Sequence, residues 1–117
     1  MSQAFTRDRR LLSAADYRRV FDKPRKSADA FFTVLARTGP SQPGLSRLGL
    51  AIAKKQLRRA VDRNRIKRLA REVFRQQVAG DVAMDFVVLT RASVRHRSNA
   101  ELAVSLQQHF QKLIAQA

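Results

Sequence analysis

Between Ala60 and Arg75 the sequence AVDRNRIKRLAREVFR sets Arg63, Arg65, Lys67, Arg68, Arg71 and Arg75 against only two acidic residues, Asp62 and Glu72. The chemistry open to such a run is electrostatic, because planar guanidinium forks bond phosphate oxygens in pairs. Lys54, Lys55, Arg58 and Arg59 carry the positive charge back toward the preceding segment. Asn64 places a neutral donor and acceptor inside the run; it suits a base edge or a ribose hydroxyl, and equally suits capping of the local backbone. Hydrolysis by the chain itself would need carboxylates or histidines converging on a metal ion or a water. His96 and His109 fall in different predicted elements, and Asp62, Asp81 and Asp85 lack metal-ligand spacing. No catalytic residue, no metal ligand and no cofactor held by the chain alone is therefore expected.

The same run has helical periodicity. At about 100° per residue, Ile66, Leu69, Ala70, Val73 and Gln77 share one sector, while Asn64, Lys67, Arg68, Arg71 and Arg75 lie roughly opposite. Packing requires only the first stripe. A solvated face normally mixes both signs, since like charges four residues apart repel, so the nearly unmixed second stripe reads as a phosphate-contacting surface. Glu72, four residues after Arg68, suits a local ion pair with it. Neither Arg65 nor Arg68 lies in the apolar stripe, so truncating either is expected to leave the fold intact.

Composition agrees with a polyanionic partner. Twenty-four Lys and Arg against nine Asp and Glu give a formal charge of +15 in 117 residues, with a pI near 11.8. Such charge is costly through self-repulsion in a compact state, and nucleic acid is favoured over anionic membrane as the group that relieves it. A hydrophobic content of 44% supports one domain spanning 1–117. The absence of cysteine excludes disulfides and thiolate metal sites. The N-terminal MSQAFTRDRRLLSAADY carries charge where a signal peptide would be apolar, and no run reaches the roughly 18 apolar residues of a membrane span, so a cytoplasmic protein is expected.

The elements that must position the basic helix follow from local signals. Ser13 caps a first helix that stops near Lys23, ahead of Pro24. AFFTVLAR, Ala30 to Arg37, reads as a strand, TGPSQPG from Thr38 to Gly44 as a turn, and RLGLAIAKK, Arg47 to Lys55, as a second strand joined to the first by a hairpin. In that second strand Gly49, Ala51 and Ala53 alternate with Leu48, Leu50 and Ile52, leaving one face with little bulk; it admits a packed helix or a shallow ligand groove. The basic helix is predicted from Leu57 to Val78 with Gly80 as its C-cap. DFVVLTR, Asp85 to Arg91, is apolar enough for a strand covered on both faces, and Ser98 with Glu101 opens a last helix burying Leu102, Leu106, Phe110 and Leu113. These elements make an α/β or α+β sandwich of helices on a small sheet.

AKKQLRRAVDRNRIKRLAREVFR resembles the signature region of the bacterial ribonuclease P protein component, in which an arginine-asparagine-arginine core follows a strand ending in paired lysines. RDRRLLSAADYRRVF is similar to that family's first helix, RLGLAIAKK to its third strand, MDFVVLTR to its last strand, and the terminal amphipathic segment to its C-terminal helix. The resemblance implies a two-layer sandwich with a small, mostly antiparallel sheet, ordered α-β-β-β-α-β-α. It also implies a left-handed βαβ crossover, opposite to the general rule, and a short first strand near Arg25 to Ala28. It implies a subunit of a ribonucleoprotein endoribonuclease that removes the 5′ leader of precursor tRNA, the chemistry being carried by a catalytic RNA and magnesium being expected for the holoenzyme. The implied RNA-subunit-binding residues are Lys54, Lys55, Arg59, Arg63, Asn64, Arg65, Lys67, Arg68 and Arg71. Tyr17 and Phe21 would take the single-stranded leader in a cleft between the first helix and the sheet. Their four-residue spacing sets both rings on one helix face, where base stacking is worth about 1 to 3 kcal/mol per base, although the same pair serves equally as core. The implied partners are the RNA subunit and precursor tRNA, with no membrane and no obligatory protein partner.

Two departures matter. Ala53 stands where many members have serine, and Gln56 to Arg59 replace a glycine-containing turn. The rival reading is a structural RNA-binding protein, such as a ribosomal component, whose basic helix serves assembly alone.

Overall fold

The computed structural model describes residues 9–10, 13–38, 46–78 and 82–116. Helix α1 runs Ala14–Phe21, strand β1 Arg25–Ala28, β2 Phe32–Thr38, β3 Arg47–Ala51, helix α2 Ala60–Gln77, strand β4 Met84–Thr90 and helix α3 Asn99–Ala115, with a short 3₁₀ helix at Ala92–His96. The order is the one expected, including the short β1.

Local chemistry sets the ends. The Ser13 hydroxyl accepts from the Asp16 amide, and α1 stops at Phe21 as Lys23, ahead of Pro24, takes a left-handed φ of 55°. Asp29 shapes the β1–β2 turn, its carboxylate accepting from the amides of Phe31 at 2.8 Å and Phe32 at 2.9 Å. That turn delays β2 to Phe32 from the predicted Ala30. Strand β3 ends at Ala51 rather than Lys55 because the Ala53 carbonyl accepts from the Gln56 and Leu57 amides, both at 3.1 Å, closing a turn. Leu57 is buried below that turn, so α2 starts at Ala60. Ser98 caps α3, accepting from the Glu101 amide at 3.2 Å. The predicted C-cap Gly80, Asp81 and most of the Thr38 to Gly44 turn lie outside the described residues.

The sheet order is β1-β2-β4-β3. Strand β2 pairs antiparallel with β1 and β4, whereas β3 pairs parallel with β4, so the expected hairpin between β2 and β3 does not form. The reason is burial: β4 is apolar on both faces and takes an interior position, which puts β2 and β3 on its two sides. The sheet is thus mixed, two of its three pairings being antiparallel.

Alternation along the strands sends Phe32, Val34, Ala36, Leu48, Phe86 and Val88 to one face, against α2 and α3. There Phe74 of α2, Phe86 of β4 and Phe110 of α3 meet edge to face, with centroids 5.4 to 5.8 Å apart. Leu35, Val87 and Leu89 go to the other face, where Val20 and Tyr17 of α1 pack on them together with Ala51. The low-bulk side of β3 therefore seats α1. The final helix buries Leu102, Leu106, Phe110 and Leu113 as its periodicity requires, and adds His109.

Candidate nucleic-acid interface

Helix α2 lies with Ile66, Ala70, Val73 and Phe74 in the core and Asn64 and Arg68 in solvent. Its arginines divide by what they touch. The Arg63 fork turns back, donating to the carbonyls of Leu57 at 2.9 Å and Arg58 at 2.8 Å, and so holds the turn that leads into the helix. Arg65 reaches sideways, donating to the carbonyls of Val94 at 3.0 Å and Arg97 at 3.1 Å and to Asn99 Oδ1 at 3.1 Å. It clamps the 3₁₀ helix and the start of α3 to α2. The expectation that Arg65 could be removed without harm to the fold is corrected by those bonds, since the acceptors come from segments about thirty residues away.

Glu72 is turned to Arg75 and Gln76 rather than to Arg68. Arg75 hydrogen bonds hold the Glu72 carboxyl below its ordinary value. Lys54, Lys55, Arg59, Lys67, Arg68 and Arg71 have no hydrogen-bond or ion-pair partner among the described residues. Asn64 and Arg68 border an open groove of about 680 Å³ whose other walls include Val61, Leu69 and Asn99. Val61 is 68% exposed there.

Other arginines are committed inside. Asp85, 3% exposed, receives Arg47 through Nε at 3.1 Å and Nη2 at 3.2 Å, and Arg19 through a second ion pair. Arg47 also reaches Asp16 at 3.1 Å. Burial opposes ionisation of Asp16, but bonds from Arg47 and Ser13 outweigh it and lower its pKa. Arg9 donates to Ser46 Oγ and the Val78 carbonyl and lies 4.8 Å from the Phe74 ring centre. Arg37 holds the end of α1 through the carbonyls of Arg19 and Asp22.

The aromatic pair of α1 divides as well. Tyr17 is half-buried, its hydroxyl accepting from the Leu50 amide at 3.0 Å and donating to the Leu50 carbonyl at 3.4 Å, which fastens α1 to β3. Phe21, one turn on, is 45% exposed. The pair is split between packing and surface: Tyr17 is tied into the sheet, and Phe21 is partly exposed.

Among the described residues no group of three or more His, Cys, Asp or Glu could hold a metal ion, and no helix is long and apolar enough to cross a membrane. His109 is buried beside Ser27, with Nδ1 2.7 Å from the serine oxygen, and its Nε2 lies 3.1 Å from Asp29 Oδ2.

A fold in which a basic helix links two parallel neighbouring strands, with a second helix face left open, has direct counterparts. The sequence matches the Ribonuclease P family model over residues 5–114. The chain belongs to the ribonuclease P protein family. It is 44% identical to the ribonuclease P protein component of Methylococcus capsulatus over 91% of this chain and 81% of the relative, and 44% identical to that of Thioalkalivibrio sulfidiphilus over 97% and 92%. Among solved structures it is similar to a Staphylococcus aureus RNase P protein mutant described as defective in mRNA degradation activity, with a TM-score of 0.80 and 29% identity over 89% of this chain and 86% of that one. The Thermotoga maritima RNase P protein gives a TM-score of 0.72 and 25% identity over 91% and 96%. Family membership makes the chain an RNA-binding component of the ribonuclease P endoribonuclease and sets aside the ribosomal alternative.

Some basic residues escaped the reading of the basic helix. Arg91, Arg95 and Arg97 lie in RASVRHR, and their density in seven residues was the available signal. What the sequence lacked was their place beside the start of α2, to which Arg65 binds the segment and where Arg95 comes 3.8 Å from Asp62.

Proposed function

We propose that the chain is the RNA-binding subunit of ribonuclease P, that α2 and the end of β3 neutralise phosphates of the RNA subunit, and that the face around α1 takes the 5′ leader of precursor tRNA. The observation that carries this reading is the sorting of the cations. The inward and sideways arginines satisfy carbonyls and carboxylates of the protein, while Lys54, Lys55, Arg59, Lys67, Arg68 and Arg71 have no protein acceptor among the described residues. Six such contacts imply a log-log salt slope of binding between about −4 and −5. Phe21 supplies the stacking ring for an unpaired base, and Tyr17 fixes the helix that presents it. In this reading the cleavage chemistry belongs to the RNA, and magnesium serves the holoenzyme. The site of action is the cytoplasm.

The test is reconstitution with bacterial ribonuclease P RNA at low magnesium. The chain should restore cleavage of precursor tRNA, and Phe21→Ala should weaken binding of leader-bearing precursor while leaving mature tRNA nearly unchanged. Because Phe21 is half in solvent, its loss should cost well under the roughly 3 to 5 kcal/mol of a buried Phe→Ala change. Equal losses for precursor and mature tRNA would overturn the leader assignment.

A further inference from the structure

Beside the outer face of α2 the chain forms a second concavity, of about 240 Å³, where the turn after β3 meets the 3₁₀ helix. Its walls are Lys55, Gln56, Leu57, Arg58, Arg59, Asp62 and Arg95. We propose that this concavity binds one backbone phosphodiester of RNA, gripped between Arg58 of the turn and Arg95 of the 3₁₀ helix, with Lys55 and Arg59 at its rim. The inference rests on the RNA-binding reading above and adds to it a defined anion site made by two separate segments.

Three observations carry it. Four cations from two segments converge on one small hollow, and among the described residues the one carboxylate in its wall is Asp62. That carboxylate stands 3.8 Å from Arg95 Nε, and both side chains are partly exposed, at 25% and 50%. A contact so long and so wet contributes little, so it orients Arg95 without saturating its fork. Next, the hollow is held from behind. Gln56 Oε1 accepts from the Ala92 amide at 3.1 Å, fastening the turn to the 3₁₀ helix, and Arg63 donates to the carbonyls of Leu57 and Arg58. Leu57 is buried beneath. The side chains of Arg58 and Arg95 are thus mounted on a backbone fixed by bonds that neither side chain makes. Last, Arg59 stands at the N-cap of α2 without a side-chain cap bond, so the positive end of an 18-residue helix is turned to the same region.

A shared phosphate makes a specific prediction for coupling. Arg58→Ala and Arg95→Ala should each weaken binding of ribonuclease P RNA about tenfold in filter binding at fixed salt. The double variant should lose little more than either single one, and its log-log salt slope should be shallower by about 0.7 to 0.9, the value for one phosphate. Arg91→Ala removes a neighbouring exposed cation outside the hollow and should change affinity less than twofold. Thermal melts of all variants should match the unsubstituted chain, since the side chains removed have no acceptor among the described residues apart from the long Asp62 contact.

Inorganic phosphate and a short single-stranded RNA, titrated separately, distinguish the source of the anion: protection of the site by RNA but not by phosphate at equal concentration supports a phosphodiester, and the reverse overturns it. Strict additivity of Arg58 and Arg95 losses, or an equal loss in Arg91→Ala, would replace the site by a diffuse field. If Arg58→Ala and Arg95→Ala bind normally while Arg68→Ala is weakened, this site fails and the RNA-binding surface of α2 stands. If the unsubstituted chain does not bind the RNA, both fail.

Discussion

Replacing Arg65 by alanine tests whether a cation of the basic helix serves the fold or the RNA. In the folded chain its fork meets the carbonyls of Val94 and Arg97 and the Asn99 side chain, at 3.0 to 3.1 Å. Arg97 and Asn99 are exposed, so water replaces the arginine there at small cost, but Val94 is fully buried as a residue and its carbonyl loses a charged donor. A hydrogen bond to a charged group is worth about 1.5 to 3 kcal/mol, and solvent access places the whole effect near 2 kcal/mol. For 117 residues the unfolding entropy is about 0.25 kcal/mol/K, so the midpoint of thermal unfolding should fall by about 8 °C. Arg68→Ala, one turn along and without a partner among the described residues, should shift it by less than about 2 °C. Circular dichroism melts of the two variants at equal salt decide the matter. An Arg65→Ala melt within 2 °C of the parent, or a fall in Arg68→Ala as large as in Arg65→Ala, would refute the division of α2 arginines into clamping and outward groups.

The remaining expectations come from the polar interior. Asp85→Ala should cost about 3 kcal/mol, read from urea midpoints, because it removes a buried carboxylate from Arg47, which keeps Asp16, and from the part-buried Arg19. Tyr17→Phe should cost about 1 kcal/mol and raise the exchange rate of the Leu50 amide, which loses its acceptor. Burial pushes the Asp29 carboxyl up, but the bonds from Ser105, Phe32 and Phe31 and the charge of His109 outweigh it and bring its pKa to about 2. With a folded value below the unfolded one, Asp29 stabilises the chain fully above about pH 4 and loses that contribution as pH falls toward 2. Its partial exposure limits the contribution to about 1 kcal/mol, so the acid limb of a pH-stability profile should flatten by that amount in Asp29→Asn.

Much of the scaffold was legible because its signals are local. Ser13 and Ser98 accept the amides three residues ahead, Pro24 denies helix to the residue before it, and the 3.6-residue period of α2 and α3 selects Ile66, Ala70 and Val73, and Leu102, Leu106 and Phe110, for the core. The charge and the basic run were likewise enough to call for a polyanion. Strand pairing was not legible in the same way: alternation assigns faces to β2 and β3 but not neighbours, and only competition for the interior position of the sheet set β4 between them.

The sequence by itself determined most of the helices and strands, which residues face the core, and that the chain must meet a polyanion, because composition and periodicity act within a few residues. The tertiary structure alone decided what each arginine does. A guanidinium acts through the acceptors within its reach, and for Arg65, Arg47 and Arg9 those acceptors come from segments 29 to 69 residues away. The same distance in sequence hid the meeting of Ser27 with His109 and that of Arg95 with the turn before α2, since both depend on how the sheet brings its edges to the helices.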